Sequence, residues 1–204
     1  MELGSNHRGE IARLAQIARP HVGVLTNVGR AHIGFFGSVE EIANEKSDVL
    51  RHLEPGGTGV VNADDRLLGE AVAGIDVPLV DFAVQHKAKF KAEGIKPLSE
   101  GGSAFTVNGR QVRIKVPGIH NVYNALAAIA AAGVLEAERP VVGADPDEAA
   151  GGGIGAEGDG AVAGVAAEDQ KVSTGAAERL HPVSHRLGPV FVMADDDYTG
   201  VILQ

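Results

Sequence analysis

Two polar segments near the start of the chain have residue types that could line a ligand site. Glu2 comes just before a glycine-bounded polar run, residues 4–9, and a predicted helix start, while His32 lies in a glycine-flanked loop after a β-branched run. Ligands of open α/β sheets bind at loops of this kind. The imidazole could bind a ligand or a metal. A helix-entry loop and a surface or core histidine explain the same residues without any ligand.

Lys46 falls on the apolar side of a predicted amphipathic helix. It lies four residues after Ile42 and three before Val49, so a helix places these three side chains on one face. One interpretation is a lysine with a buried stem and an ammonium group that reaches water. The other is a lysine whose pKa is lowered by burial. Its neutral amine could react with carbon dioxide to give a carbamate, an anionic oxygen ligand for a hard cation.

Asn121 and Asn124 stand at the start of a predicted alanine-rich helix, directly after Gly118-Ile119-His120. They are three positions apart and therefore share a helix face. An Asn amide both donates and accepts hydrogen bonds, as recognition of an adenine edge requires. Capping of the helix by Asn121 is the structural alternative.

The elements around these residues predict an α/β fold, with a mostly parallel sheet flanked by helices. Alternation of strand and helix predicts crossover connections between parallel strands. Ser38 and Glu41 are spaced as a capping box, and Asn108-Gly109 predicts the tight turn of a small β-hairpin. Helices are predicted over 10–19, from 38 to about 55 and over 121–135, and strands over 22–28, 59–62, 77–82, 105–107, 112–116 and 190–193.

Composition excludes several classes of protein. The 204 residues contain no Cys, which rules out disulfides, thiolate metal sites and a Cys nucleophile and fits a cytoplasmic location. The net charge of -9 argues against nucleic acid or an anionic membrane as a partner. No apolar run reaches the roughly 18 residues of a membrane span. We expect a cytoplasmic monomer.

Charge and composition divide the chain into three predicted parts. Residues 138–178 hold nine acidic and two basic side chains, and no Leu or aromatic residue occurs between Leu135 and Leu180. Such a segment buries little apolar area to offset its ordering entropy, which favours a Gly/Ala-rich acidic linker. An alanine-rich helix interrupted by glycine is the alternative. The predicted parts are therefore 1–137, 138–178 and 179–204.

Taken in order, the polar segments resemble the Mur ligases, the ATP-dependent amide ligases of peptidoglycan synthesis. Arg30-Ala31-His32 favours the branch that joins D-alanyl-D-alanine to UDP-N-acetylmuramoyl-tripeptide over its sister ligases and over folylpolyglutamate-type ligases. A weaker likeness resumes at residues 179–182 and 195–198, with departures at Glu178 and Thr199-Gly200. The stronger matches are 2–11, 26–37, 41–46, Asn62-Ala63-Asp64-Asp65 and 118–128, close to continuous from 1 to about 135.

The resemblance implies a role for each candidate residue. It implies a central ATP-binding domain over 1–137 and the start of a Rossmann-like C-terminal domain over 179–204. The implied reaction activates a peptide carboxylate with ATP as an acyl phosphate, from which the amine of D-alanyl-D-alanine displaces phosphate. The implied metal ligands, for Mg2+, are Glu2, His32 and a carbamylated Lys46, of which His32 and Lys46 are also catalytic. The implied nucleotide-binding residues are Asn121 and Asn124 for adenine, Arg179 for the phosphates, and Asp195 or Asp196 for the ribose.

The sequence also departs from the family pattern. The family's phosphate loop belongs upstream of Glu2, and no Gly-x-x-x-x-Gly-Lys-Ser/Thr pattern occurs in the 204 residues. We therefore expect an inactive fragment of a ligase. The alternatives are a non-catalytic nucleotide- or partner-binding module derived from such a ligase, and a related folylpolyglutamate-type amide ligase.

Overall fold

A computed structural model describes residue 5, residues 7–29 and 33–137, and the backbone of residues 190–193. Among these residues, no helix is both long enough and apolar enough to cross a membrane. The helices are α1 (Glu10–Ala18), α2 (Ile33–Phe36), α3 (Val39–Arg51), α4 (Arg66–Val72) and α5 (Ile119–Ala137). The strands are β1 (Val22–Leu25), β2 (Thr58–Asn62), β3 (Leu79–Ala83), β4 (Phe90–Lys91), β5 (Glu93–Pro97), β6 (Ser103–Val107), β7 (Arg110–Ile114) and β8 (Val190–Met193).

The main sheet has five strands in the order β4-β3-β2-β1-β8, and every neighbouring pair is parallel. The predicted strand at 190–193 is present as β8. It pairs with β1 in register, Val22 opposite Val190 and Leu25 opposite Met193. The division of the chain at 137 and 178 stays a prediction.

Helices cover both faces of this sheet, as alternating side chains of the strands require. On one face, Val24 of β1 and Val60 of β2 pack with buried residues of α5 such as Leu126. On the other face, Leu25 and Val61 pack with the helices α1, α3 and α4. The predicted arrangement, a parallel sheet flanked by helices, is therefore confirmed.

Small residues of the sheet allow α3 to approach it closely. A Cβ added at Gly23 of β1 would lie 2.8 Å from Cδ2 of Leu50, closer than packed carbon atoms allow. Leu50 is fully buried in this contact. The close packing fixes α3, and with it the candidate residue Lys46, against the sheet.

The predicted hairpin is present as the pair β6–β7. Its turn residues Asn108 and Gly109 have φ angles of 48° and 78°, as the favoured two-residue hairpin turn requires. The structure adds a third antiparallel strand, β5, that the sequence did not predict. Gly94 and Pro97 interrupt the apolar alternation of β5, and its register shifts between Glu93 and Lys96.

Candidate functional site

The loop that follows β1 is held by side chains from two neighbouring elements. The sequence predicted a strand through Val28, but β1 ends at Leu25, and each of the next three residues has a main-chain group that bonds to a side chain of another element. In this loop, Asn62 Nδ2 donates to the Thr26 carbonyl over 2.8 Å, Lys46 Nζ donates to the Asn27 carbonyl over 3.2 Å, and the Val28 amide donates to Asp65 Oδ2 over 2.7 Å.

Lys46 lies where its helical spacing predicted. The residue is 8% exposed, and its flanking residues Glu45 and Ser47 on α3 are also buried. Its amine meets a main-chain carbonyl at the carboxyl end of β1, the edge at which parallel sheets bind ligands. Carbamylation of this amine stays a prediction.

Glu45, which the sequence analysis did not single out, holds the start of α1. Its carboxylate accepts hydrogen bonds from the amides of Gly9 and Ile11, over 2.8 and 2.9 Å. The N-cap position of α1 is Gly9, which has no side chain to satisfy these amides. A carboxylate also interacts favourably with the positive end of the helix dipole. Two adjacent residues of α3 therefore hold two loops: Glu45 bonds to the start of α1, and Lys46 bonds to the loop after β1.

Asp64 forms a second junction, between the end of β2, the loop after β3 and the start of α5. Its carboxylate is 5% exposed. Burial alone would raise the pKa of Asp64, but hydrogen bonds hold that pKa well below its usual range. The donors are the amides of Gln85, His86 and Val84, at 2.9, 2.8 and 2.7 Å, and the hydroxyl of Tyr123, at 2.8 Å.

Tyr123 connects this junction to the two candidate adenine-binding residues. It lies between Asn121 and Asn124 on α5, and its hydroxyl donates to Asp64 Oδ2. Burial, together with this hydrogen bond, raises the pKa of Tyr123 to about 12. The hydroxyl therefore remains a donor at neutral pH and ties the first turns of α5 to the carboxyl edge of the sheet.

Asn121 does not cap α5 as the structural alternative supposed. An N-cap side chain accepts a hydrogen bond from a helix amide. Asn121 instead lies inside the first turn, where its Nδ2 donates to the Pro117 carbonyl over 2.7 Å and lies 2.9 Å from Nε2 of His120. Asn124 is half-buried one turn further along the helix.

The described residues do not include most of the predicted site. Glu2, His32, Arg179, Asp195 and Asp196 lie outside them. Within the described ranges, no group of three or more His, Asp or Glu side chains could hold a metal ion. The structure places Lys46, Asn121 and Asn124 and brings the loop before His32 to Lys46. Glu45 and Asp64 gave no signal beyond lying in or beside the matched segments.

Comparisons with known proteins cover the same part of the chain. Residues 1–132 match the family model described as the Mur ligase middle domain. The UDP-N-acetylmuramoyl-tripeptide–D-alanyl-D-alanine ligase of Treponema pallidum is 37% identical over 133 residues, which cover 64% of this chain and 28% of that protein. The ligase of the same name from Escherichia coli K12 is 34% identical over 136 residues, which cover 64% of this chain and 30% of that protein.

Solved structures that resemble this chain are of ligases of the same family. A crystal structure of MurF from Acinetobacter baumannii has a TM-score of 0.62 at 34% identity, covering 67% of this chain and 30% of that one. The MurF ligase of Thermotoga maritima, solved in complex with ADP, has a TM-score of 0.55 at 26% identity, covering 64% and 31%. The chain thus spans about 30% of the length of the relatives that it matches.

Proposed function

The chain belongs to the Mur ligase family, and on this premise we propose that it is the middle part of an ATP-dependent ligase that joins D-alanyl-D-alanine to UDP-N-acetylmuramoyl-tripeptide. The match over residues 1–132 confirms the family resemblance found in the sequence. Two observations support the finer assignment. The relatives named above carry this activity in their names, and Arg30-Ala31-His32 favours this branch.

The buried side chain of Lys46, and the place that its amine reaches, carry the proposal. A lysine is seldom as buried in a folded protein as Lys46, which is 8% exposed. Here the amine lies at the carboxyl edge of the sheet and donates to the loop that leads towards His32. A carbamate at this position would exchange the cation for an anion with oxygen donors, the donor type that Mg2+ prefers.

The proposed chemistry assigns the remaining residues around this lysine. Glu2, His32 and carbamylated Lys46 would hold Mg2+, which when bound supplies charge neutralisation at the phosphates. Asn121 and Asn124 would bind the adenine of ATP, Arg179 its phosphates, and Asp195 or Asp196 its ribose. The described residues of this set support a shared nucleotide and metal site. Lys46 lies at the carboxyl edge of the sheet, and Tyr123 ties the start of α5, with Asn121 and Asn124, to the same edge.

The reaction itself is an acyl transfer in two steps. The peptide carboxylate attacks the terminal phosphate of ATP, giving an acyl phosphate and ADP. The amine of D-alanyl-D-alanine then attacks the acyl carbon, and the tetrahedral intermediate expels phosphate. Positioning the two anionic partners and the amine accounts for most of the rate enhancement expected of such a site. We also propose a monomer in the cytoplasm that binds neither nucleic acid nor membrane.

A chimeric ligase tests this proposal. Residues 1–132 of this chain would replace the aligned segment of the Escherichia coli ligase, and ligation of D-alanyl-D-alanine would be measured by product mass. We expect ligation by the chimera and a loss of several powers of ten on Lys46→Ala or Lys46→Arg. A guanidinium stays cationic and cannot form a carbamate. A short carboxylic acid in the buffer should restore part of the Lys46→Ala activity.

Lys96→Ala is the matched control, because Lys96 is exposed on β5, a strand of the separate three-stranded sheet. It should leave activity within about twofold of the unmodified chimera. Near-full activity of Lys46→Arg would contradict the carbamate. A folded chimera that binds ATP but never ligates would instead favour the non-catalytic binding module.

A further inference from the structure

The first turn of α5 contains a hydrogen-bond arrangement that determines which atom Asn121 can offer to a ligand. Asn121 Nδ2 lies 2.7 Å from the carbonyl oxygen of Pro117. A carbonyl oxygen only accepts hydrogen bonds, so the atom facing it has to be the amide nitrogen and not Oδ1. This contact within the protein is enough to fix the orientation of the Asn121 amide, whether or not a ligand is bound.

His120 engages the second hydrogen of the same amide. Asn121 Nδ2 lies 2.9 Å from Nε2 of the imidazole. Because this nitrogen atom donates, Nε2 has to accept, and the neutral ring then carries its proton on Nδ1. Both donors of Asn121 are thereby used inside the protein. Oδ1, an acceptor, remains for a ligand.

The imidazole is held in this position by the backbone beneath it. Gly118 has a φ of +106°, and a Cβ added there would lie 2.5 Å from Cε1 of His120 and 3.0 Å from Nδ1. The ring therefore lies against the bare α-carbon of Gly118, and its Nε2 contacts Asn121. A side chain at position 118 would displace the ring, which explains why a glycine precedes the helix here.

We infer that His120 is a positioning residue that holds the Asn121 amide with its oxygen towards the ligand, so that this position selects a purine that carries a hydrogen-bond donor. Adenine presents the N6 amino group as a donor, whereas guanine and hypoxanthine present an O6 acceptor at the same place. An amide oxygen opposite O6 would leave two acceptors facing each other. The inference rests on the proposed function, which places the adenine at Asn121, and adds the origin of its base specificity.

The orientation is tested first, by the tautomer of His120 in the 204-residue chain. Long-range proton–nitrogen NMR spectra of the labelled chain distinguish Nδ1–H from Nε2–H at a pH where the ring is neutral. We expect the Nδ1–H form for His120 in the unmodified chain. In Asn121→Ala, where the amide that donates to Nε2 is absent, we expect a smaller fraction of this form. An Nε2–H tautomer in the unmodified chain would overturn the inference.

Base selection is tested next in the folded chimeric ligase described above, which places residues 1–132 next to a phosphate loop. It is titrated with ADP and with IDP, which differ at position 6 of the purine. We expect ADP to bind at least about tenfold more tightly than IDP, the discrimination typical of a good base contact. His120→Phe keeps an aromatic ring but removes the acceptor, and should reduce the preference several-fold. His52→Phe, at the carboxyl end of α3, is the control and should leave it unchanged.

The outcomes separate this inference from the proposed function. Equal binding of ADP and IDP, or an unchanged preference in His120→Phe, would overturn the role given to His120 while leaving a nucleotide site in place. If neither nucleotide bound and the Nδ1–H tautomer were present, the orientation would be supported. The nucleotide site on which the proposed function depends would then be contradicted.

Discussion

Asp64 illustrates how a single buried charge contributes to stability in this chain. Its pKa is held below the usual range of about 4. A lowered pKa means that the carboxylate stabilises the folded state fully above about pH 4, and that this contribution is lost as the pH falls towards the folded-state pKa. Unfolding should therefore become easier in acid, and this single residue should account for part of that change.

We expect Asp64→Asn to lower the free energy of unfolding by about 1–3 kcal/mol at pH 7, because the amide group would place a donor against several donors. The loss should shrink as the pH falls below 4. Urea unfolding of the unmodified chain and the variant between pH 3 and 7 measures both effects. Asp76→Asn, at an exposed position, is the control. A loss of equal size at every pH would show that the charge of Asp64 is not responsible.

Residues differ in how far the sequence reveals their roles. Lys46 could be placed on a buried face because its apolar neighbours recur at helical spacing. Asp64 could not be interpreted in the same way, since its partners are main-chain amides about 20 residues later and any sequence supplies main-chain amides. The amide orientation of Asn121 likewise depends on a carbonyl and a ring position that spacing alone does not show.

At the scale of elements, α1 depends on a residue of α3 for its start. We expect Glu45→Gln to lower the free energy of unfolding by about 1–3 kcal/mol. In the unmodified chain the amides of Gly9 and Ile11 both donate to the Glu45 carboxylate. Gln keeps one acceptor oxygen for one of these amides but turns an NH2 group, a donor, towards the other. Denaturant unfolding gives the loss of stability. Amide exchange should become faster at residues 9–11.

Glu40→Gln on the same helix is the control for this change, because Glu40 is exposed in the first turn of α3. The cost there should stay below about 1 kcal/mol, the usual size of an exposed helix-dipole interaction. Equal losses at the two positions would indicate that charge on α3, and not the hydrogen bonds to α1, matters.

Elements with strong local signals were predicted to within a few residues. The helices α1, α3 and α5 have apolar stripes, and the β6–β7 turn has Asn-Gly at the two positions that need positive φ. Prediction failed where tertiary contacts decide the structure. Beyond Leu25, the end of β1, main-chain groups of the next three residues bond to side chains of other elements. β5 forms beside β6 despite Gly94 and Pro97.

At the scale of the whole chain, the main sheet joins residues that are far apart in sequence. β8 pairs with the edge of β1 that β2 does not use. We expect deletion of residues 190–204 to expose that edge and to speed amide exchange within Val22–Leu25. Amides that bond to β2 should keep their protection, since that pairing is unaffected. Deletion of 194–204 alone keeps the strand and is the control. Unchanged exchange in β1 after the longer deletion would contradict the β1–β8 pairing.

Ligase activity is also a property of the whole molecule, and we predict that the 204-residue chain alone does not ligate. No Gly-x-x-x-x-Gly-Lys-Ser/Thr pattern occurs in it. In phosphate-binding loops of this kind, successive backbone amides and a lysine surround the phosphates and hold them in line for transfer. Without that positioning, the reaction should be slower by several powers of ten.

The measurement is ADP release together with mass detection of the ligated product, for the chain at micromolar concentration with ATP, Mg2+ and both proposed substrates. The full-length Escherichia coli ligase serves as the positive control. The chimera described above contains the same residues 1–132 next to a phosphate loop and should ligate where the isolated chain does not. That pair of results would attribute the loss to the missing positioning of phosphate and not to damage in the middle domain. Ligation by the isolated chain at a rate near that of the chimera would show that its own residues suffice to hold the nucleotide phosphates.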